Sequence, residues 1–489
     1  MGLPTTPDNT KTSEVGSAIR STLIWNVVTM AFAQIALAGI FLLLAARLDP
    51  VTFGTFALAA VVTDVLYTLG ASSAVDAVVQ RQDYTRRTLS TITWSMLALC
   101  SVATLVFFMI AHTYAAAVNT SQVGVILEFL SLTMLMLPFV VGPMAVMRQR
   151  MDFKGLALLG MTSSFAGSLA ALATAYTPFL EWSLVVQRFV TTGTMILLAT
   201  FRTRTLPDFG FDMTAARTWF AATWRIFAGQ AIASATPRAV DLMMGYFFGV
   251  VALGYLRIAA RLADLALNTL INPIGQLWVV LLSKAKDSAI DRRRIFLQLS
   301  SLTALISLPG FAGLALVSQD IVSLILPQQY APASQLLTAL CVLMIFAPIT
   351  NSRNSILTAL QKFNFLVWFS VLDFVATIVG MLILSGSGTS MMLVGGALAS
   401  ILLILLALPV ILRSMGVGFR EYGREMAPPY IAAATMCAVI IAIQPHLAGM
   451  SPQMALLTKV ATGAVVYLGV LGVLFRTTVR NAMGALATR

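Results

Sequence analysis

Residues 237–273 read PRAVDLMMGYFFGVVALGYLRIAARLADLALNTLINP. The stretch is apolar enough for lipid, yet it carries Arg238, Asp241, Arg257, Arg261 and Asp264. The rest of the chain shows which solvent it meets. Of 489 residues, 58% are hydrophobic and 10% charged, where soluble domains carry roughly 25% charged residues. Apolar runs of about twenty residues recur from end to end, each long enough to cross a bilayer as a helix. The composition describes an all-α polytopic membrane protein, not a soluble enzyme.

Approximate spans fall at 23–45, 53–75, 91–116, 124–147, 156–175, 182–201, 219–246, 252–282, 296–317, 333–358, 364–385, 391–412, 427–446 and 455–475, which makes fourteen. The first apolar run is too long for a signal-peptide core and no small-residue cleavage site follows it, so it is read as a retained span. Basic residues alternate between loops. One side holds Lys11 and Arg20; Arg81, Arg86 and Arg87; Arg148, Arg150 and Lys154; Arg202, Arg204 and Arg217; Lys284, Lys286 and Arg292 to Arg294; Lys362; Arg413, Arg420 and Arg424; and Arg476, Arg480 and Arg489. The other side holds Arg47 alone. This alternation predicts cytoplasmic termini. It also accounts for the net charge of +12 as orientation signals, whereas a nucleic-acid surface needs a clustered patch.

Cys100, Cys341 and Cys437 all lie in apolar runs and read as buried small residues; His112 and His446 have no partner spacing. No zinc motif, P-loop or nucleophile elbow is present, so neither a metal nor a resident cofactor is expected. The outer loops VNTSQVG, GVVALG and SGSGTSM are too short for an external catalytic domain.

An offset of 200 residues lays VTFGTFALAAVVTD (51–64) on VALGYLRIAARLAD (251–264), with five of fourteen positions identical, Gly54 with Gly254 and Asp64 with Asp264 among them. The chain therefore divides into a tail (1–20), a first six-helix lobe (21–201), a linker (202–218), a second six-helix lobe (219–413), a C-terminal helix pair with its preceding loop (414–476) and a tail (477–489). Six is even, so the lobes are parallel repeats, an arrangement that places a substrate path between them.

Helical spacing sorts the charges. Arg257, Arg261, Asp264, Asn268 and Asn272 fall within about 80°, and Gln230, Ser234, Arg238, Asp241 and Gly245 within about 100°. A charge at the bilayer centre costs roughly 2.5–3.5 kcal/mol, so both stripes should face protein or water. They either pair internally, Arg238 with Asp241 and Arg261 with Asp264, or line a net-cationic cavity; the polar track through Asn268 and Asn272 favours the cavity. Arg188 and Glu128 sit near outer span ends, where snorkelling is an alternative. Arg225 and Arg353 sit near inner ends and suit headgroup contact; the polar face of span 10 is instead Asn351, Asn354, Ser355 and Thr358. Asp64 and Asp373 lie deeper with no cation nearby in sequence, and are candidate proton or cation sites. Prolines 138, 143, 237, 273, 309 and 348 can kink their helices.

Three segments carry a resemblance. ARLDPVTFGTFALA (46–59), MRQRMDFKGLAL (147–158) and FAGQAIASATPRAVDLMMGYFFGVVALGYLRIAARLAD (227–264) resemble, in order, motifs of Wzx-type polysaccharide flippases of the MOP exporter superfamily. The resemblance implies a MATE-like fold, with two lobes around a cationic cavity. It implies alternating access without covalent chemistry, in a bacterial inner membrane, and a cargo of undecaprenyl-pyrophosphate-linked oligosaccharide for capsule, exopolysaccharide or O-antigen. Partners would be a polymerase and chain-length or export proteins. Arg238, Arg257 and Arg261 would hold pyrophosphate or acidic sugars, Asn268, Asn272 and Gln230 the sugar hydroxyls, and Asp241 and Asp264 would orient the arginines. Asp64 or Asp373 would couple transport to protons or sodium. One departure is that Arg257 and Arg261 correspond to Ala57 and Val61 in the first repeat. The alternatives are a multidrug or organic-cation antiporter, which would need acids and aromatics in its cavity, and a membrane glycosyltransferase.

Overall fold

The computed structural model describes residue 34 and residues 36–80, 85–271, 274–275, 278, 281–282, 288–346, 348–349, 363–447 and 449–475. Outside them lie both tails, most of the first expected span, the basic loop positions at 81 and 284–286, Lys362, Asn272, Pro273, Arg353 and the expected polar face of span 10; the side chain of Arg225 is outside them too.

Among the described residues every regular element is a helix. They are α1 (Ala36–Ala45), α2 (Pro50–Asp64), α3 (Ala71–Gln80), α4 (Arg86–Ala117), α5 (Ser121–Leu132), α6 (Pro138–Gln149), α7 (Phe153–Ala175), α8 (Ser183–Thr203), α9 (Met213–Leu270), α10 (Ala289–Ile325), α11 (Ala333–Met344), α12 (Phe363–Leu384), α13 (Thr389–Ser414), α14 (Phe419–Ile443) and α15 (Pro452–Leu474). Ten helices are long and apolar enough to cross a membrane, eleven with the bent pair Ser121–Met136 and Pro138–Gln149. Among the described residues the expected count of fourteen is not confirmed. The first and tenth expected spans are described only in part, where they contain α1 and α11, and the seventh and the described start of the eighth fall within the single run α9.

That run is a hairpin. Its 58 residues would extend about 87 Å if straight, against a hydrocarbon layer of about 30 Å. Gly249 breaks it with φ 79° and ψ 178°, a conformation essentially confined to glycine. Arg257 and Asp241, eight residues to either side of Gly249, form an ion pair of 2.6 Å; on a straight helix they would stand about 24 Å apart. A first arm (213–248) and a second arm (250–270) result.

Other breaks have equally local causes. A 3-10 turn (Thr133–Met136) precedes Pro138, whose missing N–H removes a ladder bond, and the axis bends by 45° there. Between α2 and α3 the helix widens into a π-helical segment, Val65–Gly70. π turns concentrate at functional sites, and this one begins directly after Asp64.

The second arm packs on α2 through the two segments that overlay at an offset of 200. A Cβ on Gly54 would lie 1.7 Å from the Val250 carbonyl oxygen, and one on Gly254 1.9 Å from that of Pro50. The contacts are reciprocal, as at a two-fold axis. Only glycine lets the backbones approach this closely. Around the crossing, Leu48, Phe53 and Leu58 share a core with Leu253, Leu256 and Ile258, and Tyr330 donates to the Leu48 carbonyl at 2.9 Å.

Two attachments complete the scaffold. The 204–212 connection is strapped to α4: Arg86 pairs with Asp208 at 3.0 Å, Trp94 donates to the Asp208 carbonyl at 2.8 Å, and Thr91 accepts the Asp212 N–H at 3.0 Å. The α14–α15 pair lies on α10, where Tyr467 donates to the Leu305 carbonyl at 2.9 Å and Lys459, 6% exposed, pairs with Asp320 at 2.6 Å.

Candidate functional site

Asp64 closes α2 and faces α8 and the first arm of α9. Its two carboxylate oxygens accept from different guanidinium groups, Oδ1 from Arg188 at 2.6 Å and Oδ2 from Arg238 at 2.9 Å. Arg188 also lies over the Tyr67 ring, 3.5 Å from its centroid, and the Tyr67 hydroxyl meets that of Thr192. The π segment therefore places Tyr67 under the same arginine that Asp64 binds.

Sixteen residues further along α9 from Asp241, Arg257 closes on it across the hairpin; Asp241 is buried. One turn on, Arg261 lies over Phe41 at 5.7 Å. Arg257, Arg261 and Asp264 join Phe41, Asp64 and Gln187 in the wall of a chamber of about 340 Å³ between α1, α2, α7, α8 and the second arm. A second chamber of about 350 Å³ lies on the other side of Asp64, lined by Ser234, Arg238 and Phe374. Asp64 belongs to both walls.

Four arginines (188, 238, 257 and 261) thus face three aspartates (64, 241 and 264), and one aspartate serves two arginines. The node is net cationic. The Nε atoms of Arg188 and Arg257 are buried without a hydrogen-bond partner among the described residues. A guanidinium is a planar fork of donors that suits phosphate oxygens, and a buried N–H left open costs free energy until an acceptor arrives.

The pairings differ from both expected from spacing. Arg238 does not bind Asp241, nor does Arg261 bind Asp264 directly; Arg238 crosses to Asp64, and Asp241 takes Arg257. Neighbours three residues apart share a face, and here both members point at the opposing helix, where better-placed partners wait. Arg188 does not snorkel: its side chain is 19% exposed and turns inward. Asp64, without a cation nearby in sequence, has two in space. Lone opposite charges in spans 2 and 6 were the available signal for this tie. Glu128 sits 3.5 Å from His112.

The remaining residues scatter. Gln230 belongs to a separate tie, accepting from Ser72 and Ser73 at 2.9 and 3.1 Å and donating to Asp76 at 3.3 Å. Arg148 also binds Asp76. Asn268 is exposed, one turn beyond Asp264 and outside the chamber wall; Asn272 lies outside the described residues. Asp373 on α12 accepts from Ser400 on α13 at 2.5 Å and makes no ion pair among the described residues. The ties of Arg148 to Asp76 and of Lys459 to Asp320 were not foreseen, since each partner lies in a distant helix.

At the loop after α6, Asp152 caps α7, accepting from Gly155 N–H at 2.9 Å and from Arg202 at 2.6 Å. The Arg202 guanidinium and then the Gly155 N–H hold its carboxyl below the usual carboxylate range.

The profile of the family described as "Polysaccharide biosynthesis protein" matches residues 43–335. The Lipopolysaccharide biosynthesis protein WzxC of Escherichia coli (strain K12) is 21% identical over 431 residues, covering 86% of this chain and 87% of that one. Among solved structures, the Lipid II flippase MurJ in an inward closed conformation superposes with a TM-score of 0.76 over 94% of this chain and 100% of that one, at 13% identity. An inward-facing multidrug resistance MATE transporter of the MOP superfamily gives 0.60 over 78% and 95%, at 12% identity. The fold is the one that these two solved structures have.

Proposed function

The chain belongs to the polysaccharide biosynthesis protein family, and from that membership and the cationic chamber we propose that it flips undecaprenyl-pyrophosphate-linked oligosaccharide repeat units across a bacterial inner membrane. Both termini are cytoplasmic in this reading, as the basic loops require. The observation that carries it is the chamber formed with Arg257 and Arg261, beside the Arg188–Asp64–Arg238 tie.

The pyrophosphate takes the place that an anion needs beside Arg257 and Arg261. Asp241 holds Arg257 by one edge. Gln187 and Ser168, also in the wall, offer hydrogen bonds to sugar hydroxyls, and the polyprenyl tail stays in the bilayer. The lobes, 21–201 and 219–413, alternate access by breaking and remaking the ties of Asp64 with Arg238 and of Gln230 with Ser72, Ser73 and Asp76. No covalent step is needed. Coupling to protons or sodium fits Asp373, an acid held by a hydroxyl, better than Asp64, whose charge two arginines already balance. A polymerase and chain-length or export proteins are the proposed partners. An organic-cation antiporter would need the opposite sign of cavity.

The test is flux of a lipid-linked oligosaccharide into proteoliposomes. Arg261→Ala, and Arg257→Ala made together with Asp241→Asn so that no carboxylate is left buried and unpaired, should each lower flux by at least about tenfold, the worth of one charge-assisted hydrogen bond. Undiminished flux in both variants at equal protein rejects the reading.

A further inference from the structure

The chamber beside Arg257 and Arg261 is not uniform along its length. The α2 helix and the second arm of α9 meet at Gly54 and Gly254 and run from there along two sides of the chamber. Ala57, Ala60 and Asp64 line it from α2, and Arg257, Arg261 and Asp264 from the second arm. Counted along the helices, Arg257 stands about 5 Å from the crossing, Arg261 about 10 Å, and Asp64 and Asp264 both about 15 Å. Helical side chains tilt toward the start of their helix, here toward the crossing, and an arginine reaches further that way than an aspartate. The guanidinium groups therefore belong to the crossing end, among Leu44, Phe53 and Phe56.

The far end is rich in acceptors. Asp264 is exposed to the chamber, and its carboxylate accepts no hydrogen bond and makes no direct ion pair among the described residues. Gln187 adjoins Arg188, which holds Asp64 at the same level. It donates to the Ser168 hydroxyl at 3.2 Å, which leaves the Gln187 side-chain oxygen as an acceptor. Asp64 differs from Asp264 in being bound already by two arginines.

Donors at one end and acceptors at the other select a ligand built in the opposite order. Pyrophosphate oxygens accept and suit the arginines. Sugar hydroxyls donate, and an ionised carboxylate, which only accepts, can take two neighbouring ones. The axial step from Arg261 to Asp264 is about 5 Å, so the sugar that reaches the carboxylate is the one bonded to the phosphate. The chamber of about 340 Å³ is at the small end of ligand sites, roughly 300–1,000 Å³, and takes the head of the cargo only. An acidic sugar at that place would set its carboxylate against Asp264, and like charges brought together repel a wrong partner.

We propose that Asp264 reads the first sugar of the cargo, accepting hydrogen bonds from a neutral hexose and rejecting a uronic acid. The assignment rests on the transport reading above, which needs only the arginine end of the chamber.

The experiment measures binding to the full chain in nanodiscs by native mass spectrometry. Three synthetic polyprenyl pyrophosphates share one tail and carry no sugar, a glucosyl group or a glucuronosyl group. The wild-type chain should bind the glucosyl probe at least about tenfold more tightly than the glucuronosyl probe, the scale of one hydrogen bond to a charged group. Asp264→Asn keeps the shape and removes the charge. It should narrow that preference to under about threefold, mainly by tighter binding of the glucuronosyl probe, and leave the bare probe within about threefold of wild type. A gain of affinity cannot come from a variant that merely folds badly. Equal affinities for the two sugars in wild type, an undiminished preference in Asp264→Asn, or loss of the bare probe in that variant overturns the assignment to Asp264 alone. Failure of all three probes to bind the wild-type chain overturns the transport reading and this assignment with it.

Discussion

Residues 51–64 and 251–264 are two copies of one segment that do different work. At their starts they are interchangeable. Gly54 meets the backbone at Val250 and Gly254 meets it at Pro50, so any side chain at either position collides with a carbonyl. Within the next two turns they part. The first copy has Ala57 and Val61, the second Arg257 and Arg261. Both end in aspartate, but Asp64 binds two arginines while Asp264 faces the chamber without a direct ion pair among the described residues. Backbone crossing is a demand on both partners, because each glycine makes room for the other. Chamber chemistry is a demand on the sum of the walls, so one copy can supply the cations and the other the acid that gathers them.

The difference between the two aspartates can be sharpened directly. Asp64→Asn leaves Arg188 and Arg238 facing each other without a carboxylate and should cost about 3 kcal/mol, the lower end for a broken buried pair, since both arginines keep some exposure. Asp264→Asn should cost under about 1 kcal/mol, as expected for a carboxylate without a direct ion pair. Thermal unfolding in detergent reports both, and equal losses would erase the distinction.

The similarity of the two glycines can be broken in the same assay. Gly54→Ala and Gly254→Ala should each cost about 1–3 kcal/mol by overpacking. Their losses should match, because the contacts are reciprocal. A loss confined to one would mean that the crossing is not two-fold.

The smallest effect lies outside both copies. The folded-state pKa of Asp152 is depressed, so its contribution is present above the unfolded carboxylate value of about 3.9 and disappears as pH falls through the lower folded value. Asp152→Asn should therefore lower the melting temperature slightly at pH 7. The gap from wild type should close towards pH 3 and stay constant between pH 5 and 8. A gap that widens on acidification would reverse the assigned direction.

Much of the chain was legible without coordinates. Apolar run length identified the spanning helices, and nearly every expected span has a helix at its position among the described residues, although these do not confirm the count of fourteen. Burying apolar area in a bilayer is a local property of twenty or so residues, so it shows in sequence. The 200-residue repeat was legible for a similar reason, because close backbone approach leaves glycine as its mark. The π segment after Asp64 was not, since nothing in VLYTLG (65–70) departs from ordinary helix-forming composition.

The sequence by itself determined that this is a membrane-embedded helical protein and that its intramembrane charges must turn away from lipid, since hydration loss penalises each one wherever its helix packs. Which charge holds which was decided only by tertiary structure. The hairpin at Gly249 brings Arg257 to Asp241, and the packing of α2 against α8 and α9 delivers Arg188 and Arg238 to Asp64. Ion pairing depends on a few ångströms between side chains on different helices, and helical periodicity along one chain carries no record of that distance.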